Sequence, residues 1–281
     1  LLRDFSELRL IQVVQGAAVI TILLNLVALW KQEKVKPMTR DERSVPQPKF
    51  SNAWADFTTG GDAGRLLVVV FFGTMAFNMQ DVLLEPYGGE ILGLSVSATT
   101  LLTAVWSVGA LLAFALAAKW LSKGTDPYRM AARGLLVGLI GFCAVIFADP
   151  LSSTTMFFAG ALGIGFGGGM FAVSTLNAAM TMPTQGKAGR GLALGAWGAA
   201  QATAGGLSIV IGGTLRDVIS SFAMSGGFGE GLMNPALGYS VVYHIEIYLL
   251  FFTLIALGPL VRVRRMTSST QRPIGLADFP T

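Results

Sequence analysis

Charge is scarce in this 281-residue sequence: 13% of its residues are Asp, Glu, Lys or Arg, against 53% hydrophobic. A soluble domain carries about 25% charged residues, so water is excluded as the main solvent and lipid takes its place. Cysteine and histidine are almost missing, with one of each, Cys143 and His244. A lone cysteine excludes a disulfide within the sequence, and the pair is too few for a Cys/His metal cage. Neither a nucleophile–base–acid triad nor zinc-ligand spacing is visible, so hydrolytic and redox catalysis have no machinery, and the chain reads as a non-enzyme. An N-terminal secretory signal is missing too. The opening LLRDFSELRLIQ has neither Met nor a basic leader region, and apolar segments that begin so abruptly suggest part of a longer protein.

Long apolar runs are what the sequence has in abundance. Crossing a bilayer takes about 20 apolar residues in a helix, and stretches near 10–30, 66–86, 97–120, 131–149, 153–178, 190–214 and 240–262 qualify. Their length and Gly/Ala content suit helices rather than barrel strands of about ten residues. The net charge of +4 and pI of about 9.4 could suggest nucleic acid, but the placement of the charges excludes it. Every Lys and Arg except Arg3, Arg9 and Arg216 lies in alternate inter-helix segments: 31–65, 119–133, 187–190 and from 262 onward. Positive charge concentrates on the cytoplasmic side of membrane proteins, which makes 31–65 and the C-terminal tail cytoplasmic. The expected organisation is a helix at 1–30, a cytoplasmic linker at 31–65, a six-helix transmembrane bundle at 66–262 and a cytoplasmic tail at 263–281. The linker contains one short amphipathic piece around Phe50–Phe57. The fold class is therefore all-α and polytopic. Six helices after a long linker match the C-terminal half of a transporter of the major facilitator type plus the helix preceding it.

The 35 glycines would weaken soluble helices, but in lipid small residues let helices approach closely. GALGIGFGGGMFA (160–172) and the Gly191, Gly195, Ala199 series predict such packing faces. Gly163–Gly168 also spells G-x-G-x-x-G, but a dinucleotide site needs that motif between a strand and a helix, and here it lies within a span.

Polar residues inside spans are few and become the candidate sites. In FNMQDVLLEPYGGEILGLS (77–95), Asn78, Asp81 and Glu85 share a helical stripe. Pro86 is expected to end the helix, leaving Glu85 at its C-terminus, where the helix dipole disfavours an acid. Two readings are open: interfacial carboxylates at the wet end of a span, or a polar site facing the bundle interior. Gln201, Arg216 and Asn177 are possible partners for the second. His244 can serve as axial ligand to a metal macrocycle, or as an interfacial residue among Tyr239, Tyr243 and Tyr248.

MAFNMQDVLLEPYGGEILGLSVS, GFGGGMFAVSTLNAAM, GRGLALGAWGAAQATAGGLSIVIGGTLRDV and GYSVVYHIEIYLLFFTLIALGPLVR resemble the PucC/LhaA family, the bacteriochlorophyll-delivery branch of the major facilitator superfamily in purple phototrophs. QDVLLEPYGG is the most specific block. The resemblance implies a factor in light-harvesting complex assembly that sits in the bacterial inner (intracytoplasmic) membrane. It further implies bacteriochlorophyll as pigment, and antenna subunits and the reaction-centre core as partners, with lipid around them. Asp81, Glu85 and His244 are carried over only as members of the matching blocks. A second reading, from the residues alone, is a proton-coupled secondary transporter of a small solute working through Asp81 or Glu85. The Phe71/Phe72, Phe157/Phe158 and Phe251/Phe252 doublets are expected to form an apolar face that meets single-span helices.

Overall fold

The computed structural model describes residues 7–30, 49–59, 61–182 and 190–270. Among them the chain is helical without strands, and six helices are long and apolar enough to cross a membrane. This is a polytopic all-α membrane protein. Most of the expected linker, the 183–189 connection and residues 271–281 lie outside the described residues.

Helix α1 (Glu7–Trp30) presents a largely exposed apolar surface over Ile11–Val27. The short amphipathic piece forms α2 (Phe50–Thr59), which buries Phe57 against Ala63, Ala193 and Ala196. The first long span is composite. Helix α3 (Asp62–Asn78) tightens into a 3₁₀ turn over Met79–Val82 and continues as α4 (Leu84–Glu90). Pro86 therefore does not end the span as the sequence predicts. It lies in the first turn of α4, where its missing N–H leaves no hydrogen bond unmade. Glu85 is accordingly at a helix N-terminus, where the dipole favours an acid, and not at a C-terminus. The 3₁₀ turn also interrupts the regular stripe expected from Asn78 to Glu85.

Helices α5 (Val96–Leu121), α6 (Pro127–Ala148) and α7 (Thr154–Thr181) follow. Asp126 caps α6 by accepting the Arg129 backbone N–H at 3.0 Å, with Pro127 in the first helical position, the arrangement a helix start favours. Ser153 caps α7 through the Met156 N–H at 3.3 Å. Helix α8 (Arg190–Met224) and helix α9 (Ala236–Thr270) complete the bundle. α8 runs well past the expected end of its span at 214, so Arg216 is helical.

Helix α7 packs most extensively, against α6 on one side and α5 on the other, and glycine is the reason. A Cβ on Gly167 would lie 2.6 Å from the Gly134 carbonyl oxygen, and one on Gly134 would lie 2.7 Å from that of Gly167. A Cβ on Gly165 would collide with the Trp106 carbonyl. The glycine-rich face of 160–172 is thus a site of backbone-to-backbone contact, as the sequence predicts. The Gly191, Gly195, Ala199 series differs: a Cβ on either glycine would meet nothing within 4 Å, so this face of α8 is open. The phenylalanine doublets do not form one free face either. Phe157 is fully buried against Tyr87, Phe72 stacks edge-on against Phe252 at 4.9 Å, and Phe251 remains exposed.

Candidate functional site: a polar seam along α9

The buried face of α9 reads Tyr239, Val242, Tyr243, Glu246, Leu250, Thr253, Leu257 and Leu260, spaced by three and four as one side of a helix requires. Its wet end is a charged network. Arg216 on α8 donates to Glu90 at the end of α4, to Asp217 at 2.7 Å and to the Tyr239 hydroxyl at 2.5 Å. Its guanidinium lies 4.4 Å from the Tyr239 ring centroid, and Tyr239 in turn donates to Glu90 at 2.8 Å. Three helices are tied here, and each charge has an opposite within reach. Tyr87 contacts the rings of both Tyr239 and Tyr243, at 5.3 and 5.5 Å, and carries the seam inward.

Seven residues along α9 from Tyr239, about 10 Å of helix rise, the seam becomes dry. Glu246 is fully buried, and neither carboxylate oxygen has a hydrogen-bond partner among the described residues. The Gln80 backbone N–H is directed at it without closing a hydrogen bond of normal geometry, and the Asp81 carboxylate acts on it through charge, both from the 3₁₀ turn. Gln80 is itself 2% exposed, and its Nε2 donates to Asp81 at 2.5 Å and to the Phe77 carbonyl at 3.3 Å. Its Oε1 and the Tyr243 hydroxyl are buried without partners.

The residues singled out from the sequence are distributed around this seam. Asp81 is exposed and held by Gln80. Asn78 is half-buried, with its amide against Gly205 of α8. Glu85 is exposed and accepts from Thr103 of α5. Gln201 and Asn177 are half-buried, and no hydrogen bond joins either side chain to Asp81 among the described residues. Arg216 pairs with Glu90, not with Asp81. Gln80 and Glu246 were overlooked, although a signal existed: Glu246 falls in register with the tyrosines and leucines of α9.

His244 projects from the opposite side of α9, exposed, with Nδ1 2.6 Å from the Ser240 carbonyl oxygen. That carbonyl can only accept, so Nδ1 is the donor of this hydrogen bond and Nε2 takes no part in it. Near the other end of α8, Phe50, Trp54 and Phe71 wall a groove of about 580 Å³ over the open Gly191, Gly195 and Ala199 track. His244 is not among the residues that line this groove, so the imidazole and the apolar groove are separate features.

The sequence matches the family model described as "PUCC protein" over residues 1–265. Among its relatives, a Rhodobacter capsulatus protein described as "Uncharacterized protein in puhA-bchM intergenic region" is 52% identical over 100% of this chain and 59% of its own length. "Protein PucC" of Rhodovulum sulfidophilum is 48% identical over 78% of this chain and 48% of its own length. "Protein PucC" of Cereibacter sphaeroides is 41% identical over 93% of this chain and 55% of its own length. The chain spans about half the length of the curated relatives it matches.

Proposed function

The chain belongs to the PucC family, and on that premise we propose that it is a non-catalytic assembly factor for bacterial light-harvesting antenna complexes. It handles bacteriochlorophyll while antenna helices insert around the reaction-centre core, in the inner (intracytoplasmic) membrane. The observation that carries the pigment part is His244. An exposed imidazole with Nδ1 occupied by a backbone carbonyl offers Nε2 to the magnesium of a chlorin arriving from the lipid side. The pigment, when bound, supplies the metal centre; the protein supplies the base, its orientation and an apolar surround. Exposed apolar side chains of α5 and α6, such as Leu111, Leu112 and Ile140, give single-span helices a surface on which packing replaces lipid contact.

Gentle detergent extraction from a pigment-synthesising membrane tests the proposal. The protein should co-purify with antenna subunits or a reaction-centre core and carry chlorin absorbance. The association should survive moderate salt, because exposed charges are screened within about 8 Å at physiological ionic strength. After the partners are stripped by further detergent, the wild type should keep bound pigment absorbance and His244→Phe should lose or shift it. A colourless wild-type protein without antenna partners would turn the assignment to the solute-transporter reading.

A further inference from the structure

Glu246 is the one acid in the buried face of α9, and the pigment reading gives it no task. We propose that α9 and the 3₁₀ turn facing it form a proton-binding site, in which Glu246 holds the bound proton as a carboxylic acid.

Three observations on the molecule lead there. First, a buried carboxylate is strongly disfavoured unless a cation or several donors compensate it, and neither oxygen of Glu246 has a hydrogen-bond partner among the described residues. Second, the surrounding groups offer no compensating charge. From the 3₁₀ turn comes Asp81, an acid like itself. From α4 comes Tyr87, which reaches it through Tyr243. On α9 itself are Tyr239 and Tyr243, with His244 on the far, exposed side. The cation of α8, Arg216, is engaged by Glu90, Asp217 and Tyr239. On α6, Tyr128, Arg129 and Arg133 lie in the first turns and Cys143 is exposed. Third, the dry end of the seam, away from Arg216, is short of a hydrogen-bond donor. Gln80 Nε2 is committed to Asp81 and Phe77, so its orphaned Oε1 can only accept. With Glu246 ionised, the donors at this dry end are the Tyr243 hydroxyl and the Gln80 backbone N–H, two against three buried acceptor oxygens. A proton on Glu246 adds a third donor, so donors and oxygens come into balance.

The bound ligand is thus a single proton, and Gln80 sets the geometry that receives it. Its amide is oriented by Asp81 at the exposed edge, so the buried acid and the exposed one share a side chain.

Infrared spectroscopy of the full chain in detergent or nanodiscs tests this at neutral pH. The wild type should show a protonated-carboxyl C=O stretch that shifts when glutamate is labelled with ¹³C at the carboxyl carbon. The band should vanish in Glu246→Gln, which imitates the neutral acid and should keep the thermal transition of the wild type. Absence of the band from labelled wild-type protein would overturn the proposal however the variant behaves. So would its persistence in a folded Glu246→Gln protein.

Discussion

Arg216 shows how one residue ties three helices together through polar contacts. It binds Glu90 and Tyr239 at once, and Tyr239 also binds Glu90, so the contact is a closed triangle across α4, α8 and α9. Arg216→Ala should lower stability by about 1–2 kcal/mol, the modest size reflecting the 52% exposure of the Glu90 side chain. Arg216→Lys should recover less than half of that loss, since a point charge cannot replace a planar fork that also stacks on Tyr239. Thermal unfolding in detergent, with Glu90→Gln and the double variant completing a cycle, measures the coupling. At Asp81, replacement by Leu removes the acceptor that orients Gln80, whereas Asn keeps one. Antenna assembly in cells should therefore fall further with Asp81→Leu than with Asp81→Asn. Equal, normal assembly in both would make the carboxylate an interfacial ornament. Asp81 was legible in the sequence because an acid beside an apolar run is conspicuous. Its neighbour Gln80 was not, although Gln80 is the side chain that enters the core. The physical reason is that lipid and protein interior are both apolar. Hydropathy marks a span but does not mark which face of it is buried, so Glu246 in register with Tyr239, Tyr243 and Leu250 gave only a weak local signal.

At the scale of the element, the same limit appears in the glycines. Two series looked alike in the sequence, one on α7 and one on α8, and small-residue spacing alone predicted close packing for both. The difference lies in whether a neighbouring backbone is present, a fact of tertiary arrangement. Substitution should separate them. Gly167→Ala places a Cβ 2.6 Å from the Gly134 carbonyl and 2.7 Å from the Gly138 nitrogen, and overpacking of this kind costs about 1–3 kcal/mol. Gly195→Ala meets nothing within 4 Å and should be neutral or stabilising by up to about 1 kcal/mol, through the greater helix preference of alanine. Thermal unfolding of the two single variants gives the contrast directly. The six spans from residue 62 onward were legible because bilayer thickness sets a minimum apolar length, but that minimum does not say how far a helix such as α8 continues beyond it. The break within the first span was not, since Pro86 is compatible both with ending a helix and with opening a new one.

For the whole molecule, the distribution of basic residues predicts that 31–65 and the tail beyond Arg262 face the cytoplasm. Protease added outside sealed right-side-out vesicles should spare both; cleavage there with the vesicles intact would reverse the topology. One further consequence follows from the packing of α5, α6 and α7. Where backbone touches backbone, as at Gly134 against Gly167 and Gly165 against Trp106, no side chain lies between that could change rotamer and absorb shear. The three helices are consequently expected to move together as one plate. Helix α9 meets α3 through side chains instead, Phe72 against Phe252 among them, and that layer is compliant. Displacement of the plate is therefore expected to be absorbed in this side-chain layer between α3 and α9, because the outer end of α9 is itself held close to α8, where a Cβ on Gly238 would lie 2.5 Å from the Arg216 carbonyl oxygen.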